Sequence, residues 1–275
     1  MSRTLLAIFA HPDDESFGPG GTLAKYAAEG VAVHLICATM GEAGENDAAD
    51  LGECDDLACR RERELRCATS VLGLTDVHLL GYRDSGMAGS PDNQHPRALV
   101  QADPATLAGQ VADLMHRLRP QVVLTFDPFG GYGHPDHIAM HRATVAAIER
   151  LPQDERPPKL YFSTFPRTAL RWVVRLMPLL GVDPAALGKN KDIDLRAVLE
   201  HETPITTRVD IGDYYDVKQR AGACHSSQLS GPGSVFGRLP RWLVRRWQSV
   251  ETFHRATPPF RQGERVEQDL FAGIM

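Results

Sequence analysis

The chain of 275 residues is short of several features that mark whole classes of protein. It has no surplus of positive charge: 30 Lys and Arg stand against 35 Asp and Glu, a formal net charge of -5. Binding to a phosphate backbone runs on clustered cations, so nucleic acid is not an expected partner. The five cysteines, Cys37, Cys54, Cys59, Cys67 and Cys224, are odd in number and contain no Cys-x-x-Cys pair. That removes the zinc-knuckle and redox-motif readings and predicts reduced thiols in a cytoplasmic protein. The N-terminal apolar run, residues 5–10, is too short for a membrane span or a secretion signal, and it leads straight into charged residues. Gly18-Pro19-Gly20-Gly21 has neither the Gly-x-Gly-x-x-Gly spacing nor the Lys-Ser/Thr ending of a phosphate loop. Repeats and low-complexity linkers are also missing.

What remains is an ordinary globular composition, 43% hydrophobic and 24% charged. Residues 4–9 (TLLAIF) and 31–37 (VAVHLIC) are short apolar runs suited to buried parallel strands, and a glycine turn and helix fit between them over 18–29. Strand, helix, strand is the start of a βαβ unit, which closes right-handed on a parallel sheet. The pattern continues with helices over 55–72, 104–118 and 135–151 and strands at 77–80 and 122–126. The prediction is an α/β protein with a Rossmann-like, doubly wound, mostly parallel sheet. One domain is expected over 1–275, a core of 1–151 with 152–275 as an elaboration. In that second half, strands are read at 161–162 and 205–211 and a helix over 214–227.

Two clusters carry chemistry. His11-Pro12-Asp13-Asp14-Glu15 follows the first strand, and Gly133-His134-Pro135-Asp136-His137 follows the strand at 122–126 and its loop. Open α/β sheets bind ligands at the carboxyl ends of their strands, so the two clusters can meet there. His11, Asp14 and His137 would make a site of two imidazoles and one carboxylate, the donor set of a catalytic zinc centre with an open position. Such a metal lowers the pKa of its water to about 7 and polarises a carbonyl. Asp13 then suits the proton acceptor, His134 the oxyanion stabiliser or proton donor to an amine, and Asp136 an orienting partner for a histidine. Either pentapeptide alone reads equally well as a turn and helix cap. Their pairing at two strand ends does not.

These motifs resemble the PIG-L/LmbE-like zinc N-deacetylase family. The likeness extends over Thr39-Met40-Gly41-Glu42-Ala43-Gly44, Arg61-Glu62-Arg63-Glu64-Leu65, residues 80–87 from Leu80-Gly81-Tyr82 to Met87, and from Lys218 through His225 to Gln228. It implies one Zn2+ per chain, with Fe2+ as the alternative, on His11, Asp14 and His137. It also implies Asp13 as general base, His134 in the electrostatic or acid role with Asp136 behind it, and Tyr132 assisting the tetrahedral intermediate. Arg61 and Asp84 match substrate-contacting positions. The activity implied is removal of an acetyl group from an N-acetylglucosamine-type amino sugar or its glycoside. Hydrolysis of a larger thiol-conjugate amide and sugar binding without turnover are the competing readings.

Three further features lie outside the motifs. Glu42, Glu45, Asp47, Asp50, Glu53, Asp55 and Asp56 occur without a Lys or Arg between them and read as a solvated loop. Arg238, Arg241, Arg245 and Arg246 alternate with Trp242 and Trp247, which reads as an amphipathic helix packed on the domain in preference to a membrane-surface helix. His225 reads as a packed or exposed side chain. The expected partner is a small amino-sugar substrate, membrane contact is not expected, and homo-oligomerisation is left open.

Overall fold

The computed structural model describes residues 3–44, 51–186, 194–201, 203–228, 241–261 and 263–274. The strands are β1 (Thr4–Phe9), β2 (Ala32–Thr39), β3 (Asp76–Tyr82), β4 (Val122–Phe126), β5 (Lys159–Thr164), β6 (Thr207–Asp210) and β7 (Val250–Thr257). They form one seven-stranded sheet in the order β3-β2-β1-β4-β5-β7-β6. Pairing is parallel from β3 through β5, while β7 runs antiparallel to both β5 and β6. Every residue of β1 and of β4 is buried, as the continuous apolar runs require of strands covered on both faces.

The helices are α1 (Asp14–Phe17), α2 (Gly20–Ala28), α3 (Leu57–Leu72), α4 (Pro104–Leu118), α5 (Gly130–Gly133), α6 (Pro135–Arg150), α7 (Arg167–Leu176), α8 (Leu195–Glu200), α9 (Tyr215–Cys224) and α10 (Arg241–Gln248). They pack in two groups, α2 with α3 and α9, and α4 with α6. Right-handed crossovers on either side of β1 place such groups on opposite faces, which is the doubly wound arrangement. The chain leaves β1 toward β2 and later returns to pair β4 on its other side. The switch point therefore lies between β1 and β4, and the loops carrying both His-Pro-Asp clusters leave the sheet there.

The second half departs from expectation in two ways. β7 was not anticipated from the sequence, because Glu251, His254 and Arg255 disguise a strand that is inserted between β5 and β6. Its charges are used internally. Glu251 accepts hydrogen bonds from the Gly21 and Thr22 backbone N–H groups at 3.0 and 2.8 Å, satisfying donors at the amino end of α2, and it pairs with Lys218 at 2.6 Å. The expectation of reduced thiols is also corrected. Cys54 is bonded to Cys59, and Cys67 on α3 to Cys224 on α9, leaving Cys37 as the free thiol. Packing of α3 on α9 brings together two cysteines 157 residues apart, which spacing alone does not reveal. Glu45, Asp47, Asp50 and Arg238 lie outside the described residues, as do the side chains of Arg241, Trp242 and Trp247, although α10 itself is a helix.

Candidate metal centre

The two clusters meet as expected. His11 Nδ1 lies 3.1 Å from His137 Nε2. Asp14 completes the triangle, Oδ1 being 3.3 Å from His137 Nε2 and Oδ2 3.6 Å from His11 Nδ1. Four tetrahedral donors at about 2.1 Å from a zinc-like ion sit about 3.4 Å from one another, so these spacings fit one face of such a shell.

Hydrogen bonds orient both rings. His137 Nδ1–H donates to the Gly130 carbonyl at 3.1 Å, which turns Nε2 toward His11. His11 Nε2 lies 3.2 Å from Asp136 Oδ2 and 3.4 Å from Asp84 Oδ1, which turns Nδ1 toward His137. Two imidazole nitrogens thus converge beside a carboxylate, and a donor set of two imidazoles and a carboxylate suits a divalent metal. Donor atoms of His11, His134 and His137, and of His11, Asp84 and Asp136, also converge within 4.8 Å. The geometry favours the Asp14 set, because Asp14 and His137 lie at His11 Nδ1 whereas Asp84 and Asp136 lie at Nε2, the other ring nitrogen.

Each candidate ligand is held by its own element. His137 lies in the first turn of α6 and stacks on Phe126 at 3.9 Å between ring centroids. Gly130 adopts φ 67°, and a Cβ there would stand 2.8 Å from His137 Cβ, so glycine permits the close approach. Asp14 begins α1 and accepts from the His11 backbone N–H at 2.8 Å.

The acids and histidines divide the charge unequally. Burial opposes charge on His11, but the carboxylates of Asp84, Asp136 and Asp14 outweigh it and raise the imidazole well above its ordinary value. Burial also opposes charge on Asp14, yet His137 and His11 hold its carboxyl below the usual range. Asp13 goes the other way: burial pushes its carboxyl up to about 7, against the pull of the Arg61 guanidinium. Burial, with the charges of His11 and His137, pushes His134 down to about 2, so its ring is neutral.

Several expected residues stand where the sequence placed them but with different partners. His134 caps α6, its Nδ1 accepting from the Asp136 backbone N–H at 3.2 Å, so Nε2 carries the proton. The Asp136 carboxylate reaches His11 and the Ser85 backbone N–H instead of His134, which corrects the expected pairing. The cap consumes the backbone of Asp136 and turns its side chain inward. Tyr132 packs edge-on to His137 at 5.2 Å, and burial raises its hydroxyl pKa, keeping it a donor. Arg61 is 3% exposed and donates to the carbonyls of Gly41 and Pro12 at 2.8 and 2.6 Å and to Asp13 Oδ2 at 3.1 Å. Asp84, equally buried, accepts from Gly86 N–H at 2.8 Å.

Asp14, Tyr132 and His137 open onto a cleft of about 1460 Å³ whose far walls come from α7, α8, α9, α10 and β7. Sequence reasoning missed the partner of His225, which is fully buried against Glu15 at 2.7 Å. The stretch from Lys218 to Gln228 was the available signal.

A doubly wound sheet with a buried carboxylate and histidine centre at its switch point defines a metal-dependent enzyme scaffold. A family model described as PIG-L, GlcNAc-PI de-N-acetylase, matches residues 6–148. The chain is 40% identical to a protein of Acidothermus cellulolyticus named 1D-myo-inositol 2-acetamido-2-deoxy-alpha-D-glucopyranoside deacetylase, over 100% of this chain and 96% of that protein. Among solved structures, a conserved protein from Thermus thermophilus is similar with TM-score 0.59 and 26% identity, covering 94% of this chain and 96% of that one. The hydratase GalB, which acts on 4-carboxy-2-hydroxymuconate in Pseudomonas putida, shares the fold at TM-score 0.60 and 21% identity over 95% and 99% of the two chains. This chain belongs to the PIG-L family of de-N-acetylases.

Proposed function

We propose that this protein is a cytoplasmic, zinc-dependent N-deacetylase that releases acetate from an N-acetylglucosamine-type sugar or its glycoside. His11, Asp14 and His137 are the proposed ligands of one zinc ion per chain. Residues 1–275 act as one domain, those after 151 completing the pocket. The observation that carries this reading is the convergence of two imidazole nitrogens, 3.1 Å apart, beside the Asp14 carboxylate. When bound, the ion supplies Lewis acidity that polarises an amide carbonyl and acidifies water.

The chain's own residues supply the rest. Asp13, with its carboxyl near neutrality, accepts a proton from the attacking water. Collapse of the adduct breaks the amide C–N bond, and that proton leaves with the nitrogen as the sugar amine. His134 presents its Nε2–H, and Tyr132 its hydroxyl, as donors to the oxygen on which negative charge develops. Asp136 fixes the ring of His11. Arg61 and Asp84 are the proposed sugar contacts, Arg61 from beside Asp13 and Asp84 from beside His11.

The name of the Acidothermus relative makes the 2-acetamido-2-deoxy-glucopyranoside of myo-inositol the first substrate to try. The test is acetate and amine release by zinc-loaded protein from a panel of N-acetylglucosamine glycosides and thiol-conjugate amides. Turnover of the glycosides is expected, and H137A is expected to lose both the metal and the activity. Stoichiometric zinc in H137A refutes the ligand set. No turnover of any amide by zinc-loaded wild type refutes the activity.

A further inference from the structure

Glu15 belongs to the first motif but lies outside the cleft. It is 0% exposed, as is His225, and neither lines the cavity onto which Asp14 and His137 open. With no exposed surface at all, neither residue is placed to touch a substrate. Both carboxylate oxygens are nonetheless engaged: Oε1 accepts from His225 Nε2–H at 2.7 Å and from Ser16 Oγ–H at 2.5 Å, and Oε2 accepts from the Asp13 backbone N–H at 2.9 Å. That last bond falls on a strained residue. Asp13 sits at φ 119°, ψ -29°, a left-handed conformation that a side chain with a Cβ rarely adopts.

His225 is unusual in its own right. It follows α9, 210 residues from Glu15, and its Nδ1 is buried without a hydrogen-bond partner among the described residues. A ring present only to fill space would do better without that nitrogen. The one polar contact its side chain makes among the described residues is the one to Glu15. The end of α9 is fixed by the Cys67–Cys224 disulfide, and its first turn by Lys218, whose ammonium donates to the Gly18 carbonyl at 2.6 Å.

We propose that Glu15 and His225 are positioning residues, a buried pair from opposite halves of the chain that holds the strained backbone of Asp13 and so aims its carboxylate. His225 fixes the Glu15 carboxylate, and Glu15 holds the Asp13 N–H. The second half of the molecule thereby sets the geometry of the first motif. This inference rests on the deacetylase reading for its kinetic arm and stands independently of it for its structural arm.

The experiment combines kinetics with a crystal structure of each variant. E15A removes the acceptor, E15Q keeps an acceptor for the Asp13 N–H, and H225F keeps ring volume without a donor. With zinc-loaded protein, E15A is expected to lower kcat by about 10²-fold while KM moves by less than about threefold. Zinc stoichiometry should not change, and E15Q should recover activity to within about tenfold of wild type. H225F should fall between E15A and wild type. In a D13N background, adding E15A or H225F should slow turnover by no more than about twofold, because the residue they act through is already disabled. In the E15A crystal structure Asp13 should leave its positive φ. Full multiplicative losses in the D13N background, loss of zinc in E15A, or Asp13 still near φ 119° in E15A would each overturn the inference. Should E15A not fold, the H225F and D13N cycle and the H225F structure decide by the same criteria. Zinc-loaded wild type that turns over no amide defeats the deacetylase reading, and the φ of Asp13 in the variants still decides this one.

Discussion

Gly130 is the position where a single added carbon should test the metal centre most directly. In Gly130→Ala the new Cβ would stand 2.8 Å from His137 Cβ and 3.1 Å from the Ile138 backbone nitrogen. Ordinary contact begins near 3.4 Å, so His137 must retreat by about 0.6 Å. It cannot retreat freely, because Phe126 stacks on its ring at 3.9 Å between centroids. The backbone at φ 67° adds about 1–2 kcal/mol for a residue with a Cβ, and overpacking adds typically 1–3 kcal/mol. The substitution should therefore destabilise the protein by about 2–5 kcal/mol. Moving His137 also lengthens its bond to the Gly130 carbonyl, now 3.1 Å, and with it the control of the ring's proton. Displacement by about 1 Å near reacting groups typically lowers rates about 100-fold. Thermal melts with and without added zinc, followed by zinc titration and kcat, would measure both effects. A variant with unchanged melting temperature and unchanged zinc affinity would refute the claim that this glycine shapes the ligand.

Two pH predictions follow from charge. Because burial and the neighbouring imidazoles keep His134 neutral, pushed down to about 2, it has no proton to lose on the alkaline side. His134→Ala should lower kcat by about 10²–10³-fold through loss of a donor, with both limbs of the kcat/KM profile unmoved; disappearance of the alkaline limb would make His134 the titrating acid. Far from the centre, burial opposes charge on Glu267, but hydrogen bonds from Lys159, Tyr161 and Arg255 outweigh it and hold its carboxyl below the usual range. A depressed folded pKa means that this stabilisation is present above the unfolded value and is lost as pH falls through the folded one. The melting-temperature gap between wild type and E267Q should therefore be full at pH 7 and close as pH drops below about 4.3; a gap independent of pH would exclude the ionic contribution.

The parts of the fold legible in the sequence are those whose information is local. Residues 4–9, 104–118 and 122–126 form elements with the bounds that hydrophobic runs and proline placement predict, and β1 and β4 then deliver both His-Pro-Asp loops to the switch point. β7 was hidden because a strand buried on both faces normally reads as an apolar run, whereas here Glu251 and Arg255 are buried on partners contributed by Lys218 and Glu267. Which residues gather at the centre was readable from two pentapeptides, but their hydrogen-bond partners were not. Asp136 turns to His11 because the α6 cap uses its backbone, and His225 reaches Glu15 across 210 residues. Such pairings are properties of the closed sheet and its packed helices, and spacing along the chain holds no record of them.

The likeness to a hydratase shows that this sheet does not by itself select amide hydrolysis. Selection resides in how the loops at its carboxyl edge distribute protons and charge. Asp84 and Asp136 lie beside Nε2 of His11, and Asp14 beside its Nδ1. The first two raise the basicity of the ring, and the third offers its own oxygens to the same point in space as His137. Three carboxylates gather around one imidazole in a buried setting, where an unpaired charge is expensive. A divalent cation would answer that charge at the point where His11 Nδ1, His137 Nε2 and Asp14 converge. Asp13 is withheld from that convergence by its left-handed backbone, and burial pushes its carboxyl up to about 7 against the pull of Arg61, while His137 and His11 hold the neighbouring Asp14 carboxyl below the usual range against the cost of its own burial. Two adjacent aspartates thereby acquire different chemistry from the direction in which the backbone points each of them.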